Sequence, residues 1–262
     1  MVDSICTHEH NLSDYECLVV TSEMLTDRLA WITFKCDSLA RIILPGHSVM
    51  VFPLMSSSPL LGRPFGVADV DINKGELSVC YMVIGRGTEL MSQTIPGSVM
   101  RVRGPFGKPL PKRDGNVYLC GGGVGVAIFL LYRKLYPEYS KGLYLGIPGK
   151  GFERFAEKIH SLIPDAKIYT DDNSFGEGDS MFKVLPHNLS ENKEEIWACG
   201  PEGFLKALER HCPKDKKNVF FALDNRMACG YGGCMGCVIE TKNGMKRICV
   251  DQSLFSADEV NL

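Results

Sequence analysis

Four cysteines near the C-terminus constrain this chain more than any other feature of its sequence. Three follow the spacing C-x4-C-x2-C and the fourth comes after eleven further residues; they are Cys229, Cys234, Cys237 and Cys249. Glycines fill much of the segment between the first three, which lets the backbone wrap tightly around a bound group. Four thiolates are the donor set of an iron–sulfur cluster or of a structural zinc ion. The segment is therefore predicted to fold around a metal centre.

The spacing of these cysteines favours one kind of centre over the other. A four-cysteine zinc site usually has two C-x2-C knuckles on separate hairpins. Here a single C-x2-C pair is present, and the third cysteine precedes it by five residues on the same loop. This order is typical of a [2Fe–2S] cluster. We interpret the segment as a [2Fe–2S] module, with a zinc site and unliganded thiols as the alternatives.

Composition excludes several classes of protein. The chain has 262 residues, and 29 Lys plus Arg against 31 Asp plus Glu give a net charge of −2, so no broad basic face is available for nucleic acid. No apolar run reaches the roughly 20 residues that span a bilayer. The first seventeen residues are polar and lack the apolar core of a signal peptide. We expect a cytoplasmic protein with no membrane span.

The first part of the chain, residues 1–104, is predicted to be an antiparallel β-barrel. Six short segments are rich in β-branched and aromatic residues, and turn material such as Pro45-Gly46 and Pro96-Gly97 separates them. The segments are ECLVVTSEM, LAWITFKC, HSVMVFPL, FGVADV, ELSVCYMVI and SVMRVRG. Strands at this spacing, with little helical pattern between them, are typical of a small barrel.

Residues 105–223 show a different pattern, in which strands alternate with helices. NVYLCGG, KGLYLGI, AKIYTDD, EEIWACG and NVFFALD have the composition of buried strands, and amphipathic segments lie between several of them. This alternation predicts a parallel sheet covered by helices. Residues 224–262 then form the small cysteine-containing module.

A glycine-rich turn opens the predicted α/β domain. Gly121 to Gly125 lie where the first strand meets a helix, and such a turn lets a pyrophosphate approach the backbone amides at a helix N-terminus. The spacing differs from the G-x-G-x-x-G fingerprint, and tight turns also need glycine for steric reasons alone. Nucleotide binding and a purely structural turn are both open at this point.

Three more segments have the composition of turns or phosphate sites. Arg63-Pro64-Phe65-Gly66 opens a barrel strand, where an arginine suits a phosphate. Gly85-Arg86-Gly87-Thr88 follows the fifth strand, and Cys199-Gly200-Pro201 ends a strand of the α/β domain. Each alone is more typical of a turn than of a site.

Together these motifs resemble the ferredoxin-reductase superfamily, and within it the electron-transfer subunits of dihydroorotate dehydrogenase B. The resemblance extends from about residue 15 to residue 255. It is carried by RPFG at 63–66, YMVIGRGTELM at 81–91, GPFG at 104–107, GGGVGV at 121–126, TDDNSFG at 170–176, CGP at 199–201 and RMACGYGGCMGCV at 226–238. The first two segments imply a barrel that binds FAD, and the glycine turn implies a nicotinamide-nucleotide domain.

The resemblance also implies a role for individual residues. The expected FAD contacts are Arg63, Pro64, Phe65, Gly66, Cys80, Tyr81, Met82, Gly87 and Thr88. The residues expected to line the NAD(H) site are Gly122, Gly123, Gly125, Cys199 and Gly200. Two positions depart from the family pattern: Gly66 stands where serine is usual, and the proline common after the glycine turn is absent.

The same resemblance implies an electron relay with an FMN-containing dihydroorotate dehydrogenase catalytic subunit, as a heterotetramer, in pyrimidine biosynthesis. Such a chain is an oxidoreductase subunit with no dedicated acid–base residue of its own. A similar subunit serving a sulfide dehydrogenase or a transhydrogenase is the nearest alternative, although those relatives tend to have Asp in place of Cys229. A flavin-free zinc module that only docks to partners is the alternative from another class.

Overall fold

A computed structural model describes residues 12–53, 59–114 and 116–262. Most of the N-terminal segment considered for a signal peptide therefore lies outside the described residues. The described part forms a β-barrel, a mostly parallel sheet with helices, and a small C-terminal hairpin region. This is the predicted fold class. No helix in the described ranges combines the length and apolarity needed to cross a membrane.

The barrel contains the six predicted strands and two short helices. Its elements are β1 (Ser13–Met24), β2 (Leu29–Lys35), α1 (Asp37–Ala40), β3 (Ser48–Phe52), β4 (Arg63–Asp71), β5 (Glu76–Met82), α2 (Arg86–Ser92) and β6 (Val99–Phe106). Neighbouring strands are antiparallel and close in the order β1-β2-β5-β4-β3-β6. Alternation along β5 directs Leu77, Val79 and Tyr81 into the barrel core and Cys80 to the outer face.

The α/β region follows the predicted alternation of strands and helices. Its elements are β7 (Val117–Gly122), α3 (Ala127–Leu135), β8 (Gly142–Ile147), α4 (Glu153–Leu162), β9 (Lys167–Thr170), α5 (Leu189–Asn192), β10 (Glu195–Cys199), α6 (Glu202–His211) and β11 (Val219–Phe221). Short 3-10 helices occupy Gly123–Val126, Pro137–Tyr139, Met181–Lys183 and Lys216–Asn218. The five strands are parallel, in the order β11-β10-β7-β8-β9.

The C-terminal region contacts both larger parts. It consists of the hairpin β12 (Val238–Thr241) and β13 (Gly244–Arg247), followed by β14 (Phe255–Ser256). Strand β14 pairs antiparallel with β11 and so adds a sixth strand to the sheet, with Phe255 fully buried. The tail is thus integrated with the core of the sheet region through β14.

The barrel and the sheet share one hydrophobic core. Trp31 and Cys80 from the outer face of the barrel pack in the same cluster as Phe129 and Leu130 of α3. At its edge, Lys158 of α4 lies 2.7 Å from a Glu23 carboxylate oxygen and 4.9 Å from the centre of the Trp31 ring. Close-packed interiors resist sliding, so this shared core fixes how the two parts are oriented.

Candidate functional site

The glycine turn and the Cys199-Gly200 turn meet at the carboxyl edge of the sheet. A β-carbon on Gly125 would lie 2.4 Å from the Cys199 carbonyl oxygen, and one on Gly200 would lie 2.9 Å from the Cα of Gly122. These contacts exclude any side chain at either glycine. Because β7 and β10 are neighbouring parallel strands, the fold brings together all five residues that sequence analysis assigned to the nucleotide site.

The backbone of this turn is open on one side. Gly123 has φ of +56°, a conformation that favours glycine, and a β-carbon there would meet nothing within 4 Å. The turn leads through the 3-10 segment into α3, whose N-terminus carries the positive end of the helix dipole. A glycine turn with space beside its backbone, placed before a helix, is suited to a phosphate group.

Farther along the same edge, an aspartate is fixed after strand β9. Asp172 accepts hydrogen bonds from the Lys150 N–H at 3.0 Å and the Ser174 N–H at 2.9 Å. These donors, together with the Ser174 hydroxyl, lower the pKa of Asp172 to about 2. Gly149 makes room for the carboxylate, since a β-carbon on this glycine would overlap it. Sequence analysis included Asp172 only within the TDDNSFG segment and gave it no role.

The barrel side of the site is built from β4 and the start of α2. The guanidinium of Arg63 lies against Gly87, where a β-carbon would come within 2.1 Å of the arginine Nε, so the absent side chain makes the room that Arg63 occupies. The Thr88 hydroxyl is committed to the loop: it accepts from Ile84 N–H at 3.0 Å and donates to the Gly85 carbonyl at 2.9 Å. Thr88 therefore shapes the turn beside Arg63.

The three residues predicted along β5 face different sides of the barrel wall. Tyr81 points inward and is 1% exposed, with its ring centre 5.3 Å from that of Phe65. Its hydroxyl is buried without a hydrogen-bond partner within the described ranges, which marks a place where a bound polar group would satisfy it. Burial raises the pKa of Tyr81, so the phenol stays a proton donor. Cys80 and Met82 pack instead in the core shared with the sheet.

The two positions that depart from the family pattern lie next to each other in the structure. A β-carbon on Gly66 would lie 2.6 Å from the Cδ1 atom of Ile128, so a serine side chain there would displace this methyl group. Ile128 is the second residue of α3, in the stretch where the family proline is missing. The isoleucine fills the space beside Gly66, a contact that sequence analysis missed.

The four clustered cysteines come as two sulfur pairs. The Sγ atoms of Cys237 and Cys249 are 3.2 Å apart. Cys229 and Cys234 form the other pair: the Cys234 N–H donates to the Cys229 sulfur at 3.5 Å, and the Cys234 thiol also contacts it. Across the described ranges, no three ligating side chains are gathered around one point as for a single metal ion.

Backbone amides around the loop favour thiolate sulfur. Burial raises the pKa of Cys229, but hydrogen bonds from the N–H groups of Tyr231 and Cys234 outweigh it and bring the pKa to about 7. The Gly236 N–H points at the Cys234 sulfur at 3.4 Å. Amide donors aimed at sulfur are what an iron–sulfur cluster requires of its surroundings. The residues present therefore fit such a group.

An ion pair that sequence analysis missed holds this loop closed. Arg247 donates to the Gly232 carbonyl at 3.1 Å, and its guanidinium lies 2.9 Å from an Asp251 carboxylate oxygen. The two residues flank Cys249, so the bridge ties the fourth cysteine to the loop that carries the others. In the sequence, the only indication of this ion pair is that a basic and an acidic residue lie on either side of Cys249.

One side of the cysteine module packs on the barrel and the other reaches the surface. Cys237 and Cys249 are buried in one cluster with Met50, Phe52 and Phe106. Cys234 is exposed, and so are two large side chains of the same loop, Tyr231 at 60% and Met235 at 54%.

Comparison with known proteins gives consistent results for each part. Residues 224–261 match the family model described as the iron–sulfur cluster binding domain of dihydroorotate dehydrogenase B. The dihydroorotate dehydrogenase B (NAD(+)) electron transfer subunit homologue of Aquifex aeolicus is 30% identical over 256 residues, covering 96% of this chain and 100% of that protein. The electron transfer subunit of a Geobacillus species is 34% identical over 229 residues, covering 83% and 87%.

Solved structures agree on the fold. The structure of an NADH-dependent reduced ferredoxin–NADP oxidoreductase superposes with a TM-score of 0.81 at 24% identity, over 94% of this chain and 90% of that one. Phthalate dioxygenase reductase superposes with a TM-score of 0.63 at 15% identity, over 95% and 97%. A closed six-stranded barrel followed by a parallel sheet and a small C-terminal region therefore defines a ferredoxin-reductase-like fold. Within that class, the chain belongs to the family of dihydroorotate dehydrogenase B electron transfer subunits.

Replacing Cys234, an exposed member of the four predicted cluster ligands, tests the metal centre. We expect Cys234→Ser to lose most of the bound iron and to keep its flavin, because the cysteine loop and the Arg63–Gly66 segment are separate parts of the structure. Iron and flavin analysis of purified protein is the measurement. Cys36→Ser, outside the cluster loop, is the matched control. Full iron content in Cys234→Ser would contradict the assignment.

Proposed function

We propose that the chain is the electron-transfer subunit of a dihydroorotate dehydrogenase, relaying electrons between NAD(H), FAD, a [2Fe–2S] cluster and an FMN-containing catalytic subunit in pyrimidine biosynthesis. The observation that carries the proposal is the placement of three candidate sites on one rigid frame. The glycine turn lies at the sheet edge, Arg63–Gly66 lies on the adjoining barrel strand, and the cysteine loop packs against the same barrel.

The proposed FAD and NAD(H) sites use fixed backbone and few charges. Arg63, held against Gly87, would pair with the FAD pyrophosphate, and the unpartnered Tyr81 hydroxyl would donate to the bound cofactor. Gly122, Gly123 and Gly125 would present backbone amides to the nucleotide phosphates. A flavin accepts a hydride and passes electrons on singly, which is the chemistry a nicotinamide-to-cluster relay requires. The protein's part is to hold the groups close and to exclude water.

The two sulfur pairs support a [2Fe–2S] cluster in particular. Each iron of such a cluster takes two thiolates, so Cys229 with Cys234 would hold one iron and Cys237 with Cys249 the other. The exposed Cys234 side of the loop would be the outlet to a partner. Because the first ligand is Cys229 and not Asp, a dihydroorotate dehydrogenase partner is favoured over a sulfide dehydrogenase or transhydrogenase partner.

Association with a catalytic subunit is supported by the relatives, each of which is an electron transfer subunit of dihydroorotate dehydrogenase B. We expect a heterotetramer of two such pairs. The exposed Tyr231 and Met235 beside the cluster supply apolar surface of the kind that protein interfaces enrich.

We expect NADH to be preferred over NADPH, and the charges at the sheet edge support this expectation. Lys150 and Arg154 follow β8 and are the basic residues closest in sequence to a possible 2′-phosphate site. Arg154 lies 4.0 Å from the Glu23 carboxylate of the barrel, and Asp172 adds a fixed negative charge to the same edge. A carboxylate there suits a ribose hydroxyl and repels a phosphate.

Removing the Asp172 charge tests this preference. We expect wild-type protein to use NADH with a higher kcat/KM than NADPH, and Asp172→Asn to narrow the ratio several-fold by removing repulsion while keeping an acceptor oxygen. Steady-state reduction of an artificial electron acceptor is the measurement. Asp258→Asn, in the C-terminal tail, is the control. If the ratio of the two kcat/KM values is unchanged in Asp172→Asn, Asp172 does not contribute to the selectivity for NADH.

Loss of the Arg63 guanidinium tests the FAD site. Arg63→Ala is expected to weaken FAD binding by ~1.5–3 kcal/mol through loss of a charge-assisted hydrogen bond. The measurement is the amount of flavin that the protein retains after dilution and gel filtration. Arg210→Ala, on the exposed face of α6, is the control. Equal flavin retention in wild type and Arg63→Ala would contradict the assigned contact.

The complete relay is tested by adding the partner. An FMN-containing dihydroorotate dehydrogenase subunit mixed with this chain is expected to oxidise dihydroorotate with NAD+ as acceptor, and each protein alone is expected not to do so. Formation of NADH at 340 nm and co-elution of the two proteins are the measurements. If NADH reduces this protein, but the protein neither binds this partner nor transfers electrons to it, one of the other oxidoreductase partners is favoured.

A further inference from the structure

One face of helix α3 packs along barrel strand β4. Ile128, Leu131 and Lys134 are spaced three residues apart, so they lie on the same side of the helix. Leu131 is fully buried in the core cluster of the barrel, although the helix belongs to the sheet region. This face of α3 therefore packs on the barrel.

At one end of this face, Ile128 is in close contact with Gly66. The distance of 2.6 Å between a β-carbon on Gly66 and Ile128 Cδ1 is shorter than real carbon contacts. The backbone of Gly66 is not in the left-handed region, so any residue could adopt its conformation. A side chain at this position would therefore meet only the Cδ1 methyl group of Ile128 and would have to displace it.

At the other end, a partly shielded ion pair fixes the helix to the same strand. The Lys134 ammonium lies 2.6 Å from an Asp69 carboxylate oxygen and 3.3 Å from the Val70 carbonyl. The Asp69 side chain is 16% exposed. An apolar contact at one end and a charged one at the other prevent α3 from sliding along β4.

The joined elements carry the two proposed redox sites. Gly66 ends the Arg63–Gly66 segment assigned to FAD, and Ile128 follows three residues after Gly125 of the turn assigned to NAD(H). The Ile128–Gly66 contact thus connects the two sites across the interface of barrel and sheet.

We propose that this contact sets the separation of the nicotinamide and flavin rings, which makes Ile128 a positioning residue for hydride transfer. The inference rests on the proposed function. In the step concerned, a hydride with its two electrons passes from NADH to the flavin, leaving NAD+ and reduced flavin. Transfer of this kind depends steeply on the distance between donor and acceptor, and a displacement of about 1 Å can reduce a rate by about 10²-fold.

A single variant and a double variant at the contact between Gly66 and Ile128 test the inference. Gly66→Ala places a methyl group against Ile128, and the double variant Gly66→Ala with Ile128→Ala removes the obstruction. Full-length, cofactor-loaded protein is mixed rapidly with NADH without oxygen, and the limiting rate of flavin reduction is separated from NADH affinity. We expect Gly66→Ala to lower the limiting rate about tenfold or more with little change in affinity. The double variant should recover most of the rate.

The control is Ile72→Ala, an exposed isoleucine just beyond β4 that should keep the wild-type rate. Wild-type rate in Gly66→Ala, or no recovery in the double variant, would overturn the inference. If Gly66→Ala does not retain flavin, Ile128→Ala alone decides: a slower limiting rate at full flavin content supports the inference, and the wild-type rate overturns it. A wild-type chain that NADH does not reduce would contradict the proposed function instead.

Discussion

The packing of helix α3 against strand β4 is the contact on which the rest of the molecule depends. It buries Leu131 in the barrel core and brings Trp31 and Cys80 of the barrel into one cluster with residues of the sheet. Two regions of different architecture thereby become one rigid body. The glycine turn that precedes α3 and the arginine segment that opens β4 are held side by side as a consequence.

The cysteine module also packs against the barrel and the sheet. Cys237 and Cys249 pack in one cluster with Met50 and Phe106 of the barrel, and the last strand of the module joins the sheet through Phe255. Arg247 and Asp251 close the loop around these cysteines. The cysteine loop is therefore held on two sides and is exposed at Cys234.

Local patterns were sufficient to predict the barrel strands, the alternating sheet region and the clustered cysteines. Each of these depends on residues close in sequence, either through side-chain alternation along a strand or through ligand spacing. The fit of Ile128 to Gly66 was not predictable in this way, because it joins residues on two distant elements through shape alone. Strand β14 has only two residues and no periodicity to detect. The opposite orientations of Cys80 and Tyr81 follow from strand alternation, which the family motif by itself does not convey.

An absorption spectrum of protein purified without air, recorded before and after addition of NADH, tests the central claim most directly. We expect flavin bands in the blue and broad cluster absorbance towards the red, both bleached by NADH. A colourless protein containing stoichiometric zinc would contradict the assignment of the cysteines and of the flavin site together.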